Sequence, residues 1–449
     1  MRVSLLFRLL YRIERDQREG EKIKQINLGF LGAGVVGAGT LDLLARRREQ
    51  IARAIGVELV VRRVAVRSPS RTRDVIVDPS LLTGDALAVI DDPSIDVVVE
   101  LIGGENPAGD YIARALRNGK HVVTANKDVI SQHGIELLDL ANRSNVNLFF
   151  EASVGGGIPV IAVLRHDLIA NEITSLRAII NGTTNFILTA MEQGRDYEEA
   201  LREAQRLGYA ESDPSKDVQG VDAAFKLAIL STLAFRTNVR PDQIAHFGID
   251  RLRQKDFQHA AGMGYVIKLL AAADVGPSGI EASVRPTLIP LSHHLAGVKG
   301  VFNAVLIDGD EVDKFMLYGR GAGARPTASA VVADLCAVAH NLQRNVTDRV
   351  EIVHRHRPIV DFGDTQSRYY LRLQVLDQPG VLAKIAQVLG DKEISIASVM
   401  QHETNNPAGV AEIVIMTHVA RERRMAAALA EIQFLDVCRE ISAFLRVER

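Results

Sequence analysis

The segment INLGFLGAGVVGAG, residues 26–39, constrains the chain more than any other: an apolar run of strand length meets glycines spaced G-x-G-x-x-G at Gly32, Gly34 and Gly37, and a helical pattern follows. In that context the first glycine allows a tight turn, the second lets backbone approach a pyrophosphate, and the third lets helix and strand pack closely. The residues from Gly32 through Ala33, Gly34, Val35 and Val36 to Gly37 are therefore the expected phosphate cradle, with unpaired N–H groups at the helix start facing the anion. Such a cradle requires a parallel sheet with crossover helices.

The pattern that follows supplies one. Strand-length apolar runs at 26–31, 58–66, 96–102, 121–125 and 146–151 alternate with helical stretches at about 36–55, 109–118 and 131–144. The fold class expected is α/β, with a Rossmann-type, doubly wound nucleotide-binding domain over 26–152, completed by a returning helix within about 320–345. Residues 153–319 change to longer helices such as 221–235 and β-rich pieces such as 282–289 and 299–307, an α+β domain. A stretch rich in Arg, His and Asp, 346–367, reads as a linker. Residues 368–449 run strand, helix, strand, strand, helix, strand, the ferredoxin-like βαββαβ order, with Asp377 expected to cap the first helix.

Composition removes whole classes of function. With 53 basic and 55 acidic residues, net charge is −2, which gives no polybasic footprint for nucleic acid or an anionic membrane. Residues 1–25 read as a short amphipathic extension, because Arg8 and Arg12 interrupt their apolar run and no small-residue cleavage site follows. Two cysteines, Cys336 and Cys438, lie in apolar periodic segments, which fits a reducing cytoplasm and excludes a disulfide scaffold or a zinc cluster.

Three stretches carry chemistry. After the second strand, where an acid would take a ribose hydroxyl, Glu58 stands at the wrong end and RSPSR places Arg67, Ser68 and Arg71 instead, which favours NADP over NAD. GKHVVTANK ends a strand on Asn126 and Lys127, where an open sheet empties into its crevice; on its own, a lysine there is a solvated strand end. AESDPSKDVQGVDAAFKLAIL gathers Glu211, Asp213 and Asp217 before a helix with Asp222 and Lys226 at i, i+4 among apolar residues. Buried charges of that kind are costly unless paired and are enriched in functional sites. The three glycines of EASVGGGIP permit close backbone approach to a ligand or a hinge, and NGTTNFIL reads as a helix start at Asn181. His293 and His294 match no metal spacing.

Taken in order, GFLGAGVVGAG, VVVELIGG, GKHVVTANK, EASVGGGIP, NGTTNFIL, the AESDPSKDV segment, GVFNAV and YGRGAGARPTASAV resemble homoserine dehydrogenase of the longer bacterial type, with a C-terminal ACT domain. The resemblance covers about 26–449; residues 1–24 depart from it. It implies reversible NAD(P)-dependent reduction of L-aspartate 4-semialdehyde to L-homoserine, on the route to threonine and methionine. It makes Lys127 and Lys226 the acid/base pair and 153–319 the substrate-binding and dimerisation domain. Glu211, Asp217, Asp222, Gly182 and Thr183 become substrate-binding residues, and Gly103, Thr124, Asn126, Lys127 and Gly321 join the cofactor site. It also implies a monovalent cation, sodium or potassium, near Glu151, Val154, Gly156 and Ile158, mainly on backbone oxygens. Threonine as an effector of the ACT unit, a cytoplasmic homodimer or homotetramer, and no membrane or nucleic-acid partner complete the expectation.

The chemistry agrees independently. A hydride and a proton are needed, and a lysine ammonium both stabilises a developing alkoxide and protonates it. A thiohemiacetal route would need a cleft cysteine. The rival readings are an enzyme of this fold acting on another small aldehyde or 2-hydroxy acid, and a non-catalytic amino-acid sensor.

Overall fold

The computed structural model describes residues 24–69, 77–349, 353, 355–402 and 409–448. The expected extension at 1–25 lies almost wholly outside them, as does Arg71.

The first unit runs β1 (Gln25–Leu31), α1 (Val35–Arg46), α2 (Arg48–Ile55), β2 (Glu58–Ala65), β3 (Leu82–Thr83), β4 (Val97–Glu100), α3 (Ala108–Arg117), β5 (His121–Thr124), α4 (Lys127–Arg143) and β6 (Leu148–Phe149). Its sheet has the order β3-β2-β1-β4-β5-β6, parallel throughout, so the order reverses between β1 and β4 and opens a crevice beyond their carboxyl ends. Four expectations change here. The single helix over 36–55 is broken at Arg47 into α1 and α2, and the 146–151 strand shrinks to Leu148–Phe149 before a tight turn at Glu151–Ser153. The 96–102 strand shortens to Val97–Glu100. Most consequentially, the fifth strand stops at Thr124, and Lys127 is the first residue of a helix because the Asn126 side chain accepts a hydrogen bond from Val129 N and caps it.

The second unit contains β7 (Ile173–Ile179), α5 (Gly182–Glu192), α6 (Tyr197–Arg206), α7 (Val221–Phe235), β8 (Ala245–His246), α8 (Gln254–Gly262), β9 (Tyr265–Gly276), β10 (Gly279–Pro290), β11 (Phe302–Gly309) and β12 (Asp313–Arg320). Helix α9 (Ala324–Arg344) then returns to the first sheet, where Val331, Leu335 and Val338 join Leu28, Phe30 and Leu41 in one core. Gly39 makes that docking possible: a Cβ on it would sit 2.8 Å from the Ala324 carbonyl oxygen.

The third unit is β13 (Gln366–Leu376), α10 (Val381–Asp391), β14 (Ile396–His402), β15 (Val410–Thr417), β16 (Ala420–Arg421), α11 (Glu422–Gln433) and β17 (Cys438–Val447). Gly380, at φ +87°, is the residue before α10, and Asp377 does not cap it. The sequence reads this unit as separate, yet its sheet is not free-standing. Strand β17 pairs in parallel with β10 at Thr287↔Arg446 and Leu288↔Val447, joining both units in one eleven-stranded sheet. The same side of β10 also takes β8 at Ser283 and Val284 and a single bridge from Ile359 at Ile280.

Candidate active site

The cradle has the shape that its glycines require. Gly32 adopts φ +102°, and a Cβ there would lie 2.8 Å from the Leu101 carbonyl oxygen; at Gly37 it would meet the Gly32 carbonyl oxygen at 2.5 Å. Gly34 is different: a Cβ on it would meet nothing within 4 Å, and as the N-cap of α1 it supplies no side chain to the helix's free N–H groups. An open space in front of uncapped donors fits a pyrophosphate. Arg67 is exposed on the loop after β2, while Glu58 is turned away at the other end of that strand, bound to Arg48 and Gln25.

The carboxyl ends of β4 and β5 are tied together by a residue that the sequence reading passed over. Glu100 is fully buried; it accepts hydrogen bonds from Thr124 Oγ1 at 2.6 Å and Ile102 N at 2.7 Å, and burial raises its pKa above the ordinary carboxylate value. Thr124 in turn accepts from Asn126 N, and Asn126 Nδ2 donates to the Gly104 carbonyl at 2.7 Å, beside the left-handed Gly103. A lone acid inside VVVELIGG was the available signal.

That framework delivers Lys127 to the crevice. From the second unit, α7 brings Asp222 and Lys226 on one face, one turn apart. Asp222 Oδ1 lies 3.2 Å from Lys127 Nζ and its Oδ2 lies 2.7 Å from Lys226 Nζ, so one carboxylate holds both lysines by separate oxygens. Lys226 also donates to the Ile180 carbonyl at 3.1 Å. Burial alone would raise the Asp222 pKa, but Lys226 and then Lys127 outweigh it and bring it down to about 2. For Lys127 burial pulls downward, and the attraction of Asp222, then Asp128, overcomes it and holds the ammonium above its usual range.

Asn181 completes the cluster. Its Nδ2 donates to Asp217 Oδ1 at 2.7 Å and to Asp222 Oδ2 at 2.9 Å, while its Oδ1 caps α5 through Thr184 N. The sequence marks Asn181 as a cap only; the bridge between two acids from other segments is invisible there. Asp217 is pushed up, first by burial and then by Asp222. Thr183 Oγ1 donates to the Tyr209 carbonyl at 2.6 Å, and Gly182, at the start of α5, faces the Val301 carbonyl. Glu211 is not drawn in: its side chain is exposed, and its backbone carbonyl accepts from Gln205.

The EASVGGGIP loop packs on the turn before α9, where a Cβ on Gly156 would lie 2.5 Å from the Gly321 carbonyl oxygen. Gly321 is itself pinned, because a Cβ there would meet Asn303 Nδ2 at 1.9 Å. The Glu151 carboxylate is already engaged, accepting from Ile161 N at 2.8 Å and Ala162 N at 2.7 Å, and the Ile158 carbonyl accepts from Val160 N. Among the described residues no three His, Cys, Asp or Glu side chains converge on a metal-sized space. Neither thiol serves the cleft: Cys336 packs on the α1/α9 core and Cys438 on the third unit's core, and burial raises both.

Comparison with known proteins bears on the whole arrangement. The description "Homoserine dehydrogenase, NAD binding domain" matches residues 32–151, "Homoserine dehydrogenase" matches 159–336, and "ACT domain" matches 369–437. Homoserine dehydrogenase of Pseudomonas aeruginosa is 43% identical over 95% of this chain and 100% of its own length. The chain belongs to the homoserine dehydrogenase family. Homoserine dehydrogenase of Bacillus subtilis is 39% identical over 95% of this chain and 99% of its own. The crystal structure of homoserine dehydrogenase from Thiobacillus denitrificans superposes with a TM-score of 0.88 at 42% identity, covering 95% of this chain and 99% of that one. A hyperthermophilic archaeal homoserine dehydrogenase, solved in complex with NADPH, covers 71% of this chain and 98% of its own at 29% identity and a TM-score of 0.60. The chain is accordingly an NAD(P)-dependent oxidoreductase, a homoserine dehydrogenase with a C-terminal ACT domain. Among the described residues no helix is long and apolar enough to cross a membrane.

Proposed function

We propose that the chain reduces L-aspartate 4-semialdehyde reversibly to L-homoserine with NADP preferred over NAD, and that Lys127 acts on the reacting oxygen. The observation that carries this reading is Asp222 holding Lys127 and Lys226 on separate oxygens at the carboxyl edge of a dinucleotide-binding sheet. When bound, the reduced nicotinamide supplies the hydride. As the carbonyl oxygen gains negative charge, the Lys127 ammonium, with 32% of its side chain exposed, stabilises it and gives up a proton. In the oxidative direction Lys127 must be neutral before it can take the hydroxyl proton. Lys226, fixed by Asp222 and the Ile180 carbonyl, has a further N–H to offer the substrate. Asp217 and Asp222 serve the substrate's ammonium side, with Gly182 and Thr183 beside them, and the exposed Glu211 stays outside the cluster.

The Gly32–Gly37 loop would hold the pyrophosphate and Arg67 the 2′-phosphate. Backbone oxygens of Glu151, Val154, Gly156 and Ile158 would take sodium or potassium; the Glu151 carboxylate, spent on two backbone N–H groups, leaves carbonyls as the donors. Threonine acting through the ACT unit, a homodimer or homotetramer, and a cytoplasmic setting belong to the same reading. The test is nicotinamide absorbance with purified protein and aspartate semialdehyde, comparing NADPH with NADH, with and without potassium and threonine. Faster oxidation of NADPH is expected. No oxidation of either cofactor by folded protein supplied with potassium would end the reading in favour of a sensor that retains a silent nucleotide fold.

A further inference from the structure

A cavity of about 700 Å³ lies away from the catalytic cleft, between the β9/β10 face of the second unit and a wall made by residues 360–367, Arg421 and the end of β17. Alternation along β10 points Glu281, Ser283, Arg285 and Thr287 to this one face, and all four line the cavity.

Its two ends carry opposite, unbalanced charge. At one end Glu281 stands directly across from Asp274 in the β9–β10 register, and like charges so opposed repel. Asp274 is answered by Arg177 at 2.9 Å, but among the described residues Glu281 has no ion-pair partner, and burial followed by Asp274 raises its pKa. At the other end two guanidinium groups, Arg285 and Arg446, share a single carboxylate oxygen of Glu422 at 3.0 and 2.8 Å, and that oxygen also accepts from Tyr369 Oη at 2.9 Å. Arg285 Nε takes no part in this sharing: it is buried without a hydrogen-bond partner, on a residue only 4% exposed. The Arg285 guanidinium lies 4.6 Å from the centroid of the Phe247 ring, which holds it in place.

We propose that this cavity binds a free α-amino acid, its carboxylate taken by Arg285 and Arg446 and its ammonium by Glu281 beside Asp274. Four strand residues set the Cα atoms of Glu281 and Arg285 about 13 Å apart, a gap bridged by their long side chains and by Arg446, whose charge already acts on Glu281. The walls come from the substrate sheet, the linker and the ACT unit together, so an occupant would fasten the third unit to the second. Insofar as it gives an amino-acid effector its place, the proposal rests on the regulatory reading above; binding and inhibition are therefore measured separately.

The test is calorimetric titration of the full chain with L-threonine, with 3-hydroxybutyrate, which lacks the ammonium, and with threoninol, which lacks the carboxylate. Threonine is expected to bind about tenfold or more tighter than either control. Glu281→Gln and Arg285→Met are each expected to weaken it by about tenfold or more, while homoserine oxidation without threonine stays within about twofold. Arg285→Met strips Glu422 of a partner and can unfold the unit, so the near-isosteric Glu281→Gln decides. Equal threonine affinity in the wild type and Glu281→Gln, or no threonine binding to the wild type, overturns the site. If threonine slows both proteins equally, regulation stands and this cavity is not its seat. If threonine binds the wild type alone and turnover does not change, the cavity stands and the regulatory reading falls.

Discussion

Lys127 and Lys268 are both lysines removed from much of their water, and their pKa values move in opposite directions. Lys127 keeps its ammonium above the usual range because the Asp222 carboxylate outweighs burial. Lys268, on β9 and 1% exposed, donates only to neutral acceptors, the Val298 carbonyl at 2.7 Å and Asn185 Oδ1 at 3.4 Å. Desolvation brings it down to about 8, and the attraction of Glu192 does not make up the loss. The two differ in the carboxylate beside the amine as well as in depth: Lys127 has Asp222 in contact, and Lys268 has no carboxylate within salt-bridge distance among the described residues. The carbonyl acceptors favour the ammonium, but here they do not offset its desolvation.

Five substitutions break or sharpen that contrast, in decreasing order of effect on turnover. Lys127→Ala should lower kcat by about 10²-fold or more, as loss of a positioned acid does, and leave cofactor affinity nearly intact; an unchanged kcat refutes the assigned role. Lys226→Ala should lower turnover too. Asp222→Asn moves Lys127 toward the position of Lys268 by removing the carboxylate in contact with it and leaving only the attraction of Asp128 and Asp217. The Lys127 pKa should fall, so the limb on which homoserine oxidation rises with pH should move to lower pH while kcat drops by about tenfold. A pH profile that stays put would mean Asp222 does not hold the proton on Lys127.

Arg67 is a third case, a cation left in water. Arg67→Asp should shift preference from NADP toward NAD by about tenfold with little change in kcat, read from the ratio of kcat/KM values. Lys268→Met should leave turnover within about twofold and act on stability instead. A folded-state pKa of about 8 against an ordinary 10.5 means that the folded protein releases this proton first. Stability from this group therefore rises with pH between those values, by about 3 kcal/mol. Denaturant titrations across that range should show the slope in the wild type and not in the variant; equal slopes would show that Lys268 is not the group responsible.

The contrast also shows what a sequence can reveal. The cradle, the parallel sheet, and the Asp222/Lys226 pair one turn apart are local patterns, legible from spacing alone. The start of α4 is hidden because HVVTANK reads as one apolar strand with a polar end, whereas the chain passes from strand end at Thr124 to helix cap at Asn126 within two residues. Strands β7 and β9 are not legible in the sequence, since β7 pairs with strands far along the chain and pairing rather than propensity makes them strands. Lys268 was silent for the same reason: nothing in YVIKLLAAA says that its lysine faces inward. The bridge from Asp222 to Lys127 exists only once two units meet, and the double donation by Asn181 only once segments about forty residues apart meet within the second unit.

Strand β10 is twelve residues long and largely apolar, and β9 covers only one of its sides. The other side is closed piecewise by Ile359, by β8 and by the last residues of β17. An open flank of that length is a template for pairing with a neighbouring molecule, and three short segments from distant parts of the chain shield it. Resistance to aggregation in this enzyme thus depends on pieces that never approach the substrate, and a change that loosens the end of β17 would be felt first as insolubility.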